Sequence, residues 1–127
     1  MIIDAHCHLW TEECLGGGLK KVLEAIIEDV GVSNKDLVFD GSAERLIADM
    51  DEAGIDKTVV LPLDFEFLYA DAAYSFHDFN NLAGEYLRKY PDRIIAFAGI
   101  DPRRGAAAVD ELRRCVEEMG FTGLKLW

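Results

Sequence analysis

Four short apolar segments, separated by segments of helical periodicity, constrain the fold of this chain most strongly. The apolar segments are 2–9, 57–63, 94–100 and 123–127. They are continuously apolar rather than alternating, which is typical of strands that are covered on both faces of a parallel sheet. Apolar residues recur at spacings of three and four in segments 19–30, 43–53, 77–90 and 106–119, which predicts helices. The predicted order is β-α-β-α-β-α-β.

Two architectures can close this order, a doubly wound open sheet or a (β/α) barrel. The first strand is not followed by a GxGxxG sequence, so a dinucleotide site has no support. A barrel needs eight strand–helix units in about 250 residues. With 127 residues and a last strand without a helix after it, the chain is predicted to be α/β and to form the first half of a (β/α)8 TIM barrel. We expect residues 1–127 to form a single domain.

The first strand carries the residues with the clearest chemistry, in the sequence MIIDAHCHLW. Side chains alternate along a strand, so Asp4, His6 and His8 share one face. Two imidazoles at i and i+2 can bind one metal ion, and barrel enzymes have their sites at the carboxyl ends of the strands. A catalytic zinc ion has three protein ligands, so the pair is incomplete. The alternative is two histidines that lie at a strand end without a metal.

These residues resemble a known family. IDAHCHLW is similar to the IDxHxH opening of the amidohydrolase superfamily. Three further stretches resemble its amidohydrolase-related branch, which includes aminocarboxymuconate-semialdehyde decarboxylase: LIADMDEAGIDKTVVLPL, NNLAGEYLRKYPDRIIAFAGIDPRR and AAAVDELRRCVEEMGFTGLKLW. The resemblance implies a divalent metal, with zinc as the expected ion, bound by His6 and His8. It also implies further histidines after strands five and six and an aspartate after strand eight, which lie beyond residue 127.

The resemblance implies an enzyme that hydrolyses an ester, lactone or amide, or that decarboxylates an aromatic or unsaturated carboxylic acid. This chain would be the N-terminal half of that enzyme, expected to be inactive alone, and the general base is not in it. The alternative is a half barrel without enzymatic activity that self-associates or pairs with another chain, since its edge strands are open to pairing.

Several other residues have a functional and a structural interpretation. Trp10 follows the metal-binding strand and could line a substrate pocket or pack in the core. Arg103 and Arg104 could bind a substrate carboxylate through two hydrogen bonds, or lie in a solvated loop. His77 is predicted to be an early helix residue and Lys125 a strand-end packing residue, although some superfamily members use a modified lysine there to bridge two metals. An aromatic-rich segment, 65–79, is predicted to form a small core, a pocket wall for an aromatic substrate or a subunit contact.

Composition excludes some partners. The net charge of −11 argues against nucleic acid. No apolar run reaches the roughly 18 residues that a membrane span needs, and no secretory signal precedes the first strand. Three scattered cysteines favour reduced thiols and a cytoplasmic location. We expect a small-molecule substrate and a homo-oligomer.

Overall fold

The computed structural model describes residues 1–32 and 38–126. It contains one four-stranded sheet, formed by β1 (Ile3–Cys7), β2 (Lys57–Val60), β3 (Ile94–Ile100) and β4 (Gly123–Leu126). All neighbouring strands are parallel, and their order is β1-β2-β3-β4. A doubly wound sheet reverses its strand order at one point, and this sheet does not. The prediction of a curled half barrel, the first half of a TIM barrel, is therefore confirmed.

Helices of the described residues lie between the strands, among them α1 (Gly17–Asp29), α2 (Ala43–Ala53), α3 (Phe76–Lys89) and α4 (Ala106–Glu117). The predicted bounds of α2 match, because Ser42 accepts a hydrogen bond from the Arg45 N–H and Gly54 ends the helix at φ 70°. The other predicted helices agree within about two residues. The segment between the first two predicted helices, 31–42, is predicted from its Asn and Gly residues to contain a loop, and it falls partly on residues 33–37, which lie outside the described residues. Within the described residues, the structure contains no helix that is long and apolar enough to cross a membrane.

Strand β2 is shorter than predicted, because its pairing with β3 stops at Val60. Pro62 follows two residues later and has no N–H to donate to a neighbouring strand. A β-carbon on Gly99 of β3 would lie only 2.1 Å from the Pro62 carbonyl oxygen. Glycine at position 99 therefore lets the two backbones approach at the carboxyl end of the sheet.

Two apolar clusters stabilise the fold. The larger one lies between the sheet and helices α2, α3 and α4, and it includes Val60, Ala83, Ala98 and Cys115. The smaller one lies where the first and second connections meet, and its buried members are Cys14, Leu15, Leu19, Leu23, Leu63, Phe65 and Phe79. Trp10 packs against this smaller cluster, which we call the upper cluster.

The apolar spacing of segment 106–119 predicts that Val109 and Val116 of α4 point inward, and this prediction is wrong. Their exposed fractions are 56% and 48%, and Ala108, Glu111 and Cys115 are the buried residues of this helix. The helix presents small residues to β3 together with one carboxylate that enters a polar network. On β1, Ile3 and Ala5 are exposed rather than covered by helices, because β1 is an edge strand of this sheet.

The polar network joins α3, α4 and β3 around a buried asparagine. The Asn80 Oδ1 accepts the Gly99 N–H at 2.8 Å, and its Nδ2 donates to the Gly99 carbonyl at 3.3 Å and to Glu111 at 3.0 Å. Asn80 thus binds both backbone polar groups of one strand residue, as a neighbouring strand would. It holds the end of β3 against the helix layer.

Glu111 is the charged centre of this network, with only 1% of its side chain exposed. It accepts hydrogen bonds from Asn80, from Arg114 at 2.7 and 2.8 Å, and from Nδ1 of His77 at 2.7 Å. Burial by itself raises the pKa of Glu111, but the bonds from Arg114, Asn80 and His77 outweigh it and lower the pKa to about 2. His77 is the second residue of α3, as predicted, and its ring is part of this network.

Asn80→Ala should destabilise the protein by about 3 kcal/mol, because it leaves two buried backbone groups and one acceptor of Glu111 without a partner. Asn81→Ala is the matched control, since Asn81 is the next residue of the same helix and is exposed. Urea unfolding followed by circular dichroism measures both. Equal losses in the two variants would contradict the role of Asn80.

The lowered pKa of Glu111 predicts a specific pH dependence. Its contribution to stability is fully present above the ordinary pKa of 4.5 and is lost as the pH falls toward its folded value of about 2. Glu111→Gln should therefore be less stable than the unsubstituted protein by about 3 kcal/mol at pH 6. The difference should shrink progressively when unfolding is measured at pH 4.5, 4 and 3, and a difference that does not change with pH would refute the assignment.

Candidate metal centre

The two histidines of the first strand face each other at its carboxyl end. The Nε2 atoms of His6 and His8 are 2.9 Å apart, and the two rings are nearly perpendicular, at 85°. Zinc–nitrogen bonds are about 2.0–2.1 Å long, so two nitrogens bound to one ion at adjacent positions are about 3 Å apart. The separation therefore fits two ligands of one metal ion.

His8 is oriented by the neighbouring strand. Its Nδ1 lies 2.8 Å from the carbonyl oxygen of Leu61, which directly follows β2. A carbonyl can only accept, so Nδ1 carries the proton and Nε2 presents its lone pair toward His6. Burial lowers the pKa of His8, the charges of His6 and Lys125 lower it further, and the bond to Leu61 opposes them only in part. His8 is thus a neutral imidazole with its free nitrogen directed at the site, as a metal ligand requires.

Asp4 stabilises β1 instead of joining the histidines. Its Oδ1 accepts the His6 N–H at 3.1 Å, and its Oδ2 accepts the Thr58 hydroxyl at 3.2 Å. The described residues contain no group of three or more histidine, cysteine or acidic side chains that could hold a metal. His6 and His8 alone are too few for a catalytic metal ion, which takes three protein ligands, and their role as ligands stays a prediction.

Trp10 lies beside the pair. Its ring is stacked on the His8 imidazole, with centroids 5.5 Å apart and planes 10° apart. The indole also contacts Phe65, at 6.5 Å and edge to face. Further aromatic contacts of the upper cluster join Phe65 to Tyr69 and Phe79, and Phe79 to Tyr74. The aromatic segment therefore forms a small core beside the histidines, while Phe67 is exposed and lies outside it.

Arg103 and Arg104 bind carboxylates of their own chain. Arg103 makes a two-pronged contact with Asp101, and its guanidinium lies 4.4 Å from the centre of the Phe67 ring. Arg104 donates to Asp64 at 2.5 and 2.7 Å and also binds Glu66. Their role in binding a substrate carboxylate stays a prediction. In this structure, both guanidinium groups are bound to carboxylates of the surrounding loops.

Two buried carboxylates at the ends of strands were missed by the sequence interpretation. Asp64 follows the second apolar segment and Asp101 directly follows β3, and each is about 1% exposed. Asp64 Oδ2 also accepts the backbone N–H of Asp101 at 3.2 Å, so the two strand ends are linked. The hydrogen bonds from Arg103 lower the pKa of Asp101 to about 2. The sequence does contain a sign of such a buried carboxylate, because an aspartate directly follows an apolar segment and two arginines follow it closely.

The chain is similar to a family model, to curated proteins and to solved structures. A family model described as amidohydrolase matches residues 3–126. Gamma-resorcylate decarboxylase from a Rhizobium species is 43% identical over 44 residues, which are 35% of this chain and 14% of that protein. Among solved structures, 4-oxalomesaconate hydratase from Rhodopseudomonas palustris is 27% identical, with a TM-score of 0.54 over 98% of this chain and 40% of that one.

A third relative contains a metal. The 5-carboxyvanillate decarboxylase of Novosphingobium aromaticivorans, complexed with manganese and 4-hydroxy-3-methoxy-5-nitrobenzoic acid, is 22% identical with a TM-score of 0.63, over 99% of this chain and 41% of that chain. The chain thus spans about two fifths of the length of these two structures. Because the family model matches nearly every residue, from the histidine-bearing strand to β4, this chain belongs to the amidohydrolase family.

Proposed function

We propose that residues 1–127 are the N-terminal half of a metal-dependent enzyme, and that they supply two of its metal ligands, His6 and His8. The observation that carries this proposal is the 2.9 Å separation of the two Nε2 atoms, together with the Leu61 carbonyl that leaves the His8 Nε2 unprotonated. Two imidazole nitrogens at this separation, with the His8 nitrogen unprotonated, supply two donors for a divalent cation.

The reaction that we propose is decarboxylation of an aromatic carboxylic acid, with hydrolysis or hydration of an unsaturated acid as the alternative. The names of the similar proteins, two decarboxylases of aromatic acids and one hydratase, support this choice. A divalent ion would act as a Lewis acid toward a substrate oxygen or a bound water. The part of this chain would be to hold that ion through the Nε2 atoms of His6 and His8 and to present the Trp10 ring beside it.

The identity of the metal is part of the proposal. Imidazole ligands suit zinc, as the sequence predicts, and they also bind other first-row metals. Manganese is present in a related decarboxylase. We therefore propose a divalent ion and expect metal analysis of the protein purified without added metal to separate zinc from manganese.

Location and assembly remain proposals as well. We propose a cytoplasmic protein, which the three free thiols support. We also propose a homo-oligomer.

The alternative function, a half barrel that pairs with other strands, has one supporting observation. Apolar side chains are exposed on both edge strands, Ile3 on β1 and Leu124 and Leu126 on β4. Light scattering of the 127-residue chain tests this alternative. A folded monomer would remove it.

His6→Ala and His8→Ala, made in the complete protein, should each reduce bound metal by at least about tenfold and abolish activity, because each removes one ligand from a small set. His77→Gln is the matched control, since it changes the remaining histidine of this chain, and it should retain the metal. Metal content measured by mass spectrometry after gel filtration decides the matter. Full metal occupancy in both alanine variants would contradict the proposal.

A further inference from the structure

We infer that Trp10 is a positioning residue for His8, and that a hydrogen bond between Tyr86 and Gly41 holds Trp10 in place. The inference rests on the proposed metal site, because its consequence is the direction of the His8 lone pair. It assigns a role at this site to residues of α3 and of the segment before α2, none of which is a metal ligand.

Two contacts restrain the imidazole ring of His8. The bond from Nδ1 to the Leu61 carbonyl fixes one atom of the His8 ring, but a single bond leaves the plane of the ring free to tilt. The Trp10 indole supplies a flat surface only 10° from parallel with that plane. The two contacts together fix both the atom and the plane, and they direct Nε2 toward His6.

The position of Trp10 is set by a close backbone contact with Gly41. The backbone of Trp10 lies directly against Gly41, where a β-carbon would come within 2.6–2.8 Å of the Trp10 nitrogen, carbonyl carbon and oxygen. Contacts this short with backbone atoms cannot be relieved by a side-chain rotation, so only glycine fits at position 41. The Phe65 ring lies edge-on to the indole, within the upper cluster.

The position of Gly41 is set by a hydrogen bond from Tyr86. The Tyr86 hydroxyl donates to the Gly41 carbonyl at 2.9 Å, and this bond is buried. Burial, the largest effect, raises the pKa of Tyr86 to about 12, so the hydroxyl keeps its proton and remains a donor. Contacts therefore run from Tyr86 in α3 to Gly41, from Gly41 to the Trp10 backbone, and from the indole to His8.

The test compares four variants of the complete protein. Trp10→Leu keeps apolar volume in the upper cluster but lacks a flat ring, whereas Trp10→Phe keeps one. Tyr86→Phe removes only the hydroxyl that binds Gly41. Tyr69→Leu is the control, because Tyr69 also contacts Phe65 in the upper cluster but makes no ring contact with His8.

Two measurements are made on each variant. Long-range 1H–15N NMR of the metal-free protein gives the tautomer of His8, and titration with Mn²⁺ followed by electron paramagnetic resonance gives the affinity for the metal. We expect one tautomer, with the proton on Nδ1, in the unsubstituted protein, in Trp10→Phe and in Tyr69→Leu. Trp10→Leu should show both tautomers and bind Mn²⁺ about 10- to 100-fold more weakly, the usual loss when a ligand loses its orienting partner. Tyr86→Phe should change both in the same direction by a smaller amount.

A single His8 tautomer and unchanged Mn²⁺ affinity in both Trp10→Leu and Tyr86→Phe would overturn the inference. Equal changes in Trp10→Leu and Tyr69→Leu would overturn it too, because loosening of the upper cluster would then be the cause. If the unsubstituted protein binds no Mn²⁺ and no Zn²⁺, the proposed function fails. The tautomer measurement needs no metal, so it still decides the role of Trp10 in that case.

Discussion

The end of the β2 ladder is the constraint on which the rest of this structure depends. After Val60 the chain reaches Pro62, which cannot donate, and the regular exchange of backbone hydrogen bonds with β3 stops. Backbone groups in a covered sheet still need partners. Side chains provide them: His8 binds the Leu61 carbonyl, Asn80 binds both polar groups of Gly99, and Asp64 accepts the Asp101 N–H.

The same end of the sheet contains an unusual concentration of buried charge. Asp64, Asp101 and Glu111 are almost fully buried, and each is bound by an arginine that follows it in sequence or in the adjacent loop. Removing water from a carboxylate is costly unless a cation and further hydrogen bonds replace it. The Arg104–Asp64 pair therefore links the second and third connections, whereas the other two pairs lie within one loop and within α4. The need to compensate Asp64 and Asp101 explains why the two arginines that the sequence suggested for substrate binding are occupied by carboxylates of this chain.

The sequence predicted the strands, the helices and the placement of His6 and His8 on one face at a strand end, because each depends on local patterns. Continuous apolar segments, Ser42 before a helix and HxH at a strand end are visible without knowledge of the tertiary structure. The strand order separated the barrel from the doubly wound sheet, and no pattern in the chain specifies that order. The buried roles of Asn80 and Glu111 were also not predictable. Both lie on helices whose polar residues are ordinarily exposed, and only the placement of α3 against β3 and α4 turns them inward. The rotation of α4 that exposes Val109 has the same cause.

The partner of His8 is a main-chain carbonyl, and this affects which substitutions the site tolerates over time. A side-chain acceptor could be lost through a single change of codon, whereas every amino acid at position 61 supplies the same oxygen. Sequence drift at this position can alter packing, but it cannot remove the group that selects the protonated nitrogen. The hydrogen bond that orients the His8 ring is therefore encoded by the path of the chain and not by the identity of any residue, whereas the stacking contact depends on Trp10 and on the glycine beside it.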